Sequence, residues 1–128
     1  MKHIKLFFLV LAMSLFCACE KPTQETVVTV THEIIQSDTH EIQQSDTIAF
    51  IATAQPRPVV MFYWWIRRNG TIIKKVAGNS LSEYDGSWTS HYTDTVFVKA
   101  TNKGVYSATL EYYDGQDKYF VGDEVTIQ

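Results

Sequence analysis

The 128-residue sequence predicts an all-β fold, an antiparallel sandwich of seven or eight short strands. Three observations predict it. Runs rich in β-branched and aromatic residues recur about every ten positions, turn-forming pairs such as Asn69-Gly70 separate them, and no stretch sustains a 3.6-residue apolar period. The length suits one domain, since domains usually hold ~100–150 residues. At 45% hydrophobic content the chain is neither disordered nor fibrous. Its 14 acidic residues face 11 basic ones, a net charge of -3, so no basic surplus exists to neutralise phosphates and nucleic acid is not an expected partner.

The first 19 residues read as an address. Lys2 and Lys5 form a positive n-region, and Leu6 to Phe16 is an apolar run too short for the ~20 residues that span a bilayer. It ends in Phe16-Cys17-Ala18-Cys19, followed by polar residues. This ending resembles a bacterial lipobox, in which a small residue precedes a cysteine that is diacylated and becomes the mature N-terminus. The resemblance implies lipidation of Cys19 (palmitate among its acyl chains) and a place on the bacterial outer membrane or elsewhere in the cell envelope, periplasmic or surface-facing. Phe16 departs from the usual Leu, and its bulk argues against Cys17 as the acylated residue. Ordinary signal-peptide cleavage, leaving a soluble periplasmic protein, is the competing reading. Both cysteines lie in this segment, so a cysteine nucleophile, a disulfide and a thiolate metal site are excluded from the mature domain. Without Lys2 and Lys5, the 11 basic residues fall to 9 against 14 acids, a net charge of -5.

Residues 20–25 read as a tether and 26–128 as the domain. Thr26 to Thr31 is a β-branched strand. Thr31-His32-Glu33-Ile34-Ile35-Gln36-Ser37-Asp38 is then repeated as Thr39-His40-Glu41-Ile42-Gln43-Gln44-Ser45-Asp46, a local duplication that extends the first strand or its loop. Thr47 to Ala54 is a second strand, stopped by Pro56 and Pro58, which cannot donate to a ladder. Val59 to Ile66 is a third, and Arg67-Arg68-Asn69-Gly70 turns the chain into Thr71 to Val76. Ala77 to Ser87 reads as loop. Thr95 to Ala100, Val105 to Tyr113 and Lys118 to Ile127 complete the sheets, joined at Asn102-Lys103-Gly104 and Asp114-Gly115-Gln116.

Two stretches carry a family resemblance. Tyr63-Trp64-Trp65-Ile66-Arg67-Arg68-Asn69-Gly70-Thr71 is similar to the core-tryptophan strand and following hairpin of immunoglobulin-like sandwiches. Gly104-Val105-Tyr106-Ser107-Ala108-Thr109-Leu110 resembles the Gly-x-Tyr-x-x-x-Leu pattern of the PKD type. The resemblance implies an immunoglobulin-like fold over 47–127, with Tyr106 as the tyrosine-corner residue and Ala108 where antibody domains carry their second cysteine. It also implies adhesive, spacer or ligand-binding work rather than catalysis. The acidic Gly-Asp-Gly turn of PKD domains is missing, as is the inter-sheet disulfide.

Strand alternation supplies the candidate site. Val60, Phe62, Trp64 and Ile66 fall on one face and suit a core, which sends Val59, Met61, Tyr63 and Trp65 outward. On the neighbouring strand Tyr106, Ala108, Leu110 and Tyr112 face in, while Thr109, Glu111 and Tyr113 face out. Tyr63, Trp65, Glu111 and Tyr113 then form an aromatic platform with a carboxylate, joined by Phe120, suited to stacking on sugar rings or burying an apolar partner. The bland alternative is a face covered by the repeat or the 77–92 loop. A second is the opposite parity, with Trp65 in the core, because Trp65 and Gly70 match the PKD spacing.

Other chemistry has little support. His32 and His40, each followed by Glu, would stand some 26 Å apart on an extended strand at ~3.3 Å per residue, so no single metal ion joins them without a fold-back. His91 near Ser87, Ser90 and Asp94 reads as a local polar loop, and no Gly-x-Ser-x-Gly elbow exists. Glu83, Asp85 and Glu111 make no marked acid pair. Asp114, Asp117, Asp123 and Glu124 offer oxygen ligands for a weak Ca²⁺ but lack the ordered EF-type spacing and read rather as an acidic rim, and Arg67, Arg68, Lys74 and Lys75 read as edge-strand protection. The expected function is a lipid-anchored, non-enzymatic module without cofactor or metal, binding glycan or protein at the envelope. The alternative is an accessory subunit of a larger envelope complex.

Overall fold

The computed structural model of the chain describes residues 25–36, 46–82 and 85–128. The signal segment with Cys19, the tether up to residue 24, the second repeat copy up to residue 45 (with His40 and Glu41) and Glu83 lie outside the described residues. These residues form seven strands: β1 (Val27–Ile35), β2 (Asp46–Gln55), β3 (Val60–Arg68), β4 (Thr71–Ala77), β5 (Thr93–Ala100), β6 (Gly104–Asp114) and β7 (Asp117–Ile127). A single helical turn, α1 (Asn79–Ser82), follows β4. The strands make an all-β sandwich of two antiparallel sheets, three-stranded in the order β1-β2-β5 and four-stranded in the order β4-β3-β6-β7. Consecutive strands therefore change sheet at β2–β3, β4–β5 and β5–β6.

Period-two alternation explains which side of each strand is buried. On β5, Asp94, Val96, Val98 and Ala100 point inward, and on β6 Tyr106, Ala108, Leu110 and Tyr112 do the same. Ile48, Phe50, Ala52 and Ala54 of β2 join the β5 residues on one inner face, and the β6 residues meet that face across the sandwich. The core includes large aromatic side chains, with Trp64 and Tyr106 each 1% exposed. The Tyr106 hydroxyl donates to the Asn102 carbonyl at 2.8 Å, so a polar group that enters the core still finds an acceptor. The first repeat copy lengthens β1 to Ile35 rather than forming a loop. There His32 Nδ1 donates to Asp123 Oδ2 of β7 at 2.6 Å and clips one edge of the sandwich shut. Asp123 is thus a bonding partner rather than a member of a free acidic rim.

At the β3–β4 hairpin, Asn69 and Gly70 both have positive φ, 50° and 84°, the conformation that a two-residue primed turn requires. β4 is an edge strand, exposed except at Val76, which packs on the core. Lys74 and Lys75 lie on that edge as expected, whereas Arg67 and Arg68 belong to the end of an interior strand.

β3 corrects the expected alternation. Val60 pairs with Tyr113 and Met61 with Tyr112, but Tyr63 pairs with Glu111, leaving Phe62 as an extra residue. Such a bulge reverses the parity of everything before it. Val59 and Met61, expected outside, are therefore core residues at 1% and 0% exposure, while Val60 and Phe62 leave the core. The Gly78 N–H donates to the Phe62 carbonyl. A Cβ at Gly78 would lie 2.6 Å from the Met61 carbonyl oxygen, so only glycine fits there. Ser80, 1% exposed, accepts the Met61 N–H at 2.8 Å and donates to the Thr89 carbonyl at 2.6 Å. The bulge and the helical turn of α1 thus stabilise each other, which is why a segment reading as loop contains a helix.

Candidate functional site

Beyond the bulge, Trp64 and Ile66 face the core, so Tyr63, Trp65 and Arg67 face outward from the four-stranded sheet. Register brings the expected residues together on that outer face. Tyr63 stands opposite Glu111 on β6, and Glu111 opposite Phe120 on β7. Tyr113 lies two residues along β6 on the same side. Tyr63, Trp65, Glu111 and Tyr113 are half-buried, whereas Phe120 is 58% exposed.

The bulge adds Phe62 to this surface. Its ring lies 4.8 Å from that of Tyr113, 6.5 Å from that of Tyr63 and 4.7 Å from that of Trp88, which reaches over from the segment before β5. Tyr63 and Trp65 are 6.4 Å apart. A continuous aromatic strip results, partly roofed at one end by Trp88. Cations decorate it. Lys75 Nζ sits 3.9 Å from the Tyr63 ring centroid and 4.6 Å from that of Trp65, a cation–π arrangement over the ledge. Lys118 lies 5.8 Å from the Tyr113 ring and 3.7 Å from Glu111 Oε1.

Next to the ledge the face turns polar. Trp65 pairs with Thr109, and Thr109 with Gly122, so the row ends at a residue without a side chain. A Cβ at Gly122 would come within 2.7 Å of the Ala108 carbonyl oxygen and 3.1 Å of Thr109 Oγ1. Here lies a hollow lined by Ser107, Thr109, Gly122, Asp123 and Glu124. Arg67 Nη1 donates to Thr109 Oγ1 at 3.2 Å, at the border of ledge and hollow. Chemically the face offers ring surfaces, hydroxyls, a guanidinium, two ammonium groups and the carboxylates of Glu111 and Glu124 side by side.

The remaining candidates separate. Asp94 is 7% exposed and belongs to the core, where it accepts from Trp64 Nε1 at 2.9 Å, from the Asn79 N–H at 3.1 Å and from the Thr95 N–H at 2.8 Å. This buried hub was missed by the sequence reading, although Asp94 shares the parity of Val96 and Val98, the one signal that could have found it. The Ser87 hydroxyl donates to Asp85 Oδ1 at 3.4 Å. His91 pairs through its backbone with Val59. At the pole where Glu25 emerges, a concavity is lined by Glu25, Thr26, Arg57, Tyr112, Asp114 and Tyr119. Burial there raises the Tyr112 phenol above its ordinary pKa, helped by Tyr119 and Asp114. Among the described residues, no helix is long and apolar enough to cross a membrane, and no cluster of three His, Cys, Asp or Glu side chains could hold a metal ion. No family model, no curated protein and no solved structure matches the chain.

Proposed function

We propose that the chain is a lipid-anchored, non-enzymatic immunoglobulin-like module of the bacterial cell envelope that binds a glycan on the outer face of its four-stranded sheet. One observation carries the binding reading: the Tyr63–Trp65 ledge adjoins the hollow at Gly122, which is lined by the hydroxyls of Ser107 and Thr109 and the carboxylates of Asp123 and Glu124 and lies in the row of Trp65. A sugar presents an apolar C–H face beside hydroxyls, so it needs a flat ring and hydrogen-bonding groups next to each other. The core of a protein interface is usually depleted of charge, and Lys75, Arg67 and Glu111 interrupt this face.

The immunoglobulin-like reading draws support from the strand order, from buried Trp64 and from the Tyr106–Asn102 bond. Lipid anchoring rests on the placement of Cys19 after an apolar run. Glu25 lies at the pole formed by Pro56, Arg57 and the β6–β7 turn, while Ile127 ends at the opposite pole beside Gly104. A lipid on Cys19 would hold the Glu25 pole within about 20 Å of a membrane, at ~3.3 Å per extended residue, and leave the outer face to the side.

A glycan array probed with the full chain tests the binding reading. Sugar hits that vanish on Trp65→Ala are expected. No hits, with one stoichiometric protein recovered from envelope extract, would instead favour the accessory-subunit reading, for which the exposed β4 edge with Ile72 and Ile73 speaks. Radiolabelled palmitate tests the anchor: Cys17→Ala should keep the label and Cys19→Ala should lose it.

A further inference from the structure

We infer that the saccharide taken by this face is acidic, a sugar ring carrying a carboxylate or sulfate; the inference rests on the glycan reading above. Trp65 is flanked by two cations. Lys75 is its partner across β4, and Arg67 follows two residues along β3 on the same face. Neither has a carboxylate within ion-pair distance among the described residues. Lys75 rests on rings and Arg67 on a threonine hydroxyl. Lys75 and Arg67 thus flank one indole with both charges open to the same outside anion.

The carboxylates of the same face do not fill that role. Glu111 is neutralised by Lys118 at 3.7 Å, and Glu124 stands opposite Ser107 on the far edge strand, two strands from Arg67.

The position of Lys75 decides between sugar classes. Its ammonium occupies the ring faces on which a sugar would stack. Lys75 is exposed and its stem is flexible, so it can swing from the ledge onto an arriving anion and expose the rings. Arg67 then offers its planar fork to the same group. A neutral sugar must displace the ammonium and gives it nothing in return. Lys75 thereby selects against neutral ligands as well as for acidic ones.

Two pairs of hexasaccharides, each an acidic and a neutral form of one sugar backbone, test this on the full chain in detergent micelles, by calorimetric titration. Hexagalacturonate is set against its methyl ester, and sulfated maltohexaose against maltohexaose. At least one acidic member should bind about five-fold more tightly than its neutral twin, the worth of a solvent-facing ion pair, and weaken as salt rises. Lys75→Met should weaken that acidic ligand by a similar factor while leaving the neutral twin unchanged or tighter. Acidic and neutral twins that bind equally, array hits confined to neutral glycans, or an acidic ligand tightened by Lys75→Met would overturn the inference. Neutral binding lost on Trp65→Ala would at the same time leave the glycan reading standing. No binding by any of the four, with a blank array, would remove both.

Discussion

Trp64 and Trp65 are neighbours on β3, yet one indole is built into the sandwich and the other is laid on it. Trp64 is 1% exposed, and its N–H reaches Asp94 Oδ2 at 2.9 Å. Trp65 is half-buried on the opposite face, its ring beneath Lys75 and its N–H without an acceptor among the described residues. Identical side chains thus carry different burdens. The inner one fills volume and satisfies a buried carboxylate, so its loss is a loss of fold. The outer one presents a ring, so its loss is a loss of surface.

Breaking this comparison calls for stability measurements, and the largest effect is expected at Trp64. Trp64→Ala should lower the unfolding free energy by about 3–5 kcal/mol in urea, as a large core truncation does. Asp94→Ala should follow, at about 2–4 kcal/mol, because it strands the donors of Trp64, Asn79 and Thr95 in or near the core. Less is at stake at Tyr106: removing its hydroxyl with Tyr106→Phe should cost on the order of 1 kcal/mol, one net hydrogen bond. Trp65→Ala should stay within about 1 kcal/mol of wild type, since it removes a ring from a partly solvated face. A urea midpoint for Trp65→Ala below that of Trp64→Ala would mean that the outer ring is the structural one, and the ledge would cease to be a candidate site.

The pairing of β3 with β6 shows how much of the site was legible. β6 alternates without interruption, so Tyr106, Ala108, Leu110 and Tyr112 could be assigned inward from their spacing alone, with Glu111 and Tyr113 outward. The second half of β3, from Tyr63 to Ile66, could be read in the same way. Its first half could not. The bulge at Phe62 is held by Gly78 and Ser80, which come from beyond the next strand, and no local pattern announces it. Phe62 consequently moved from the expected core to the aromatic strip. Likewise Lys75, which reads as protection for an edge strand, acquires a second role only when β4 is laid beside β3.

By itself the sequence determined the fold class, the strand succession, the turns at Asn69-Gly70 and Asp114-Gly115, and the sidedness of β6 and of the second half of β3. These follow from local physics, because backbone preferences and alternation act between residues close in the chain. Only the tertiary structure decided the bulge, the Asp94 hub, the His32–Asp123 clip and the seating of Lys75 on two rings. Each of these joins groups from different strands or loops. Such contacts exist only once register is set, and register is fixed by the packing of the whole core against water rather than by any one segment.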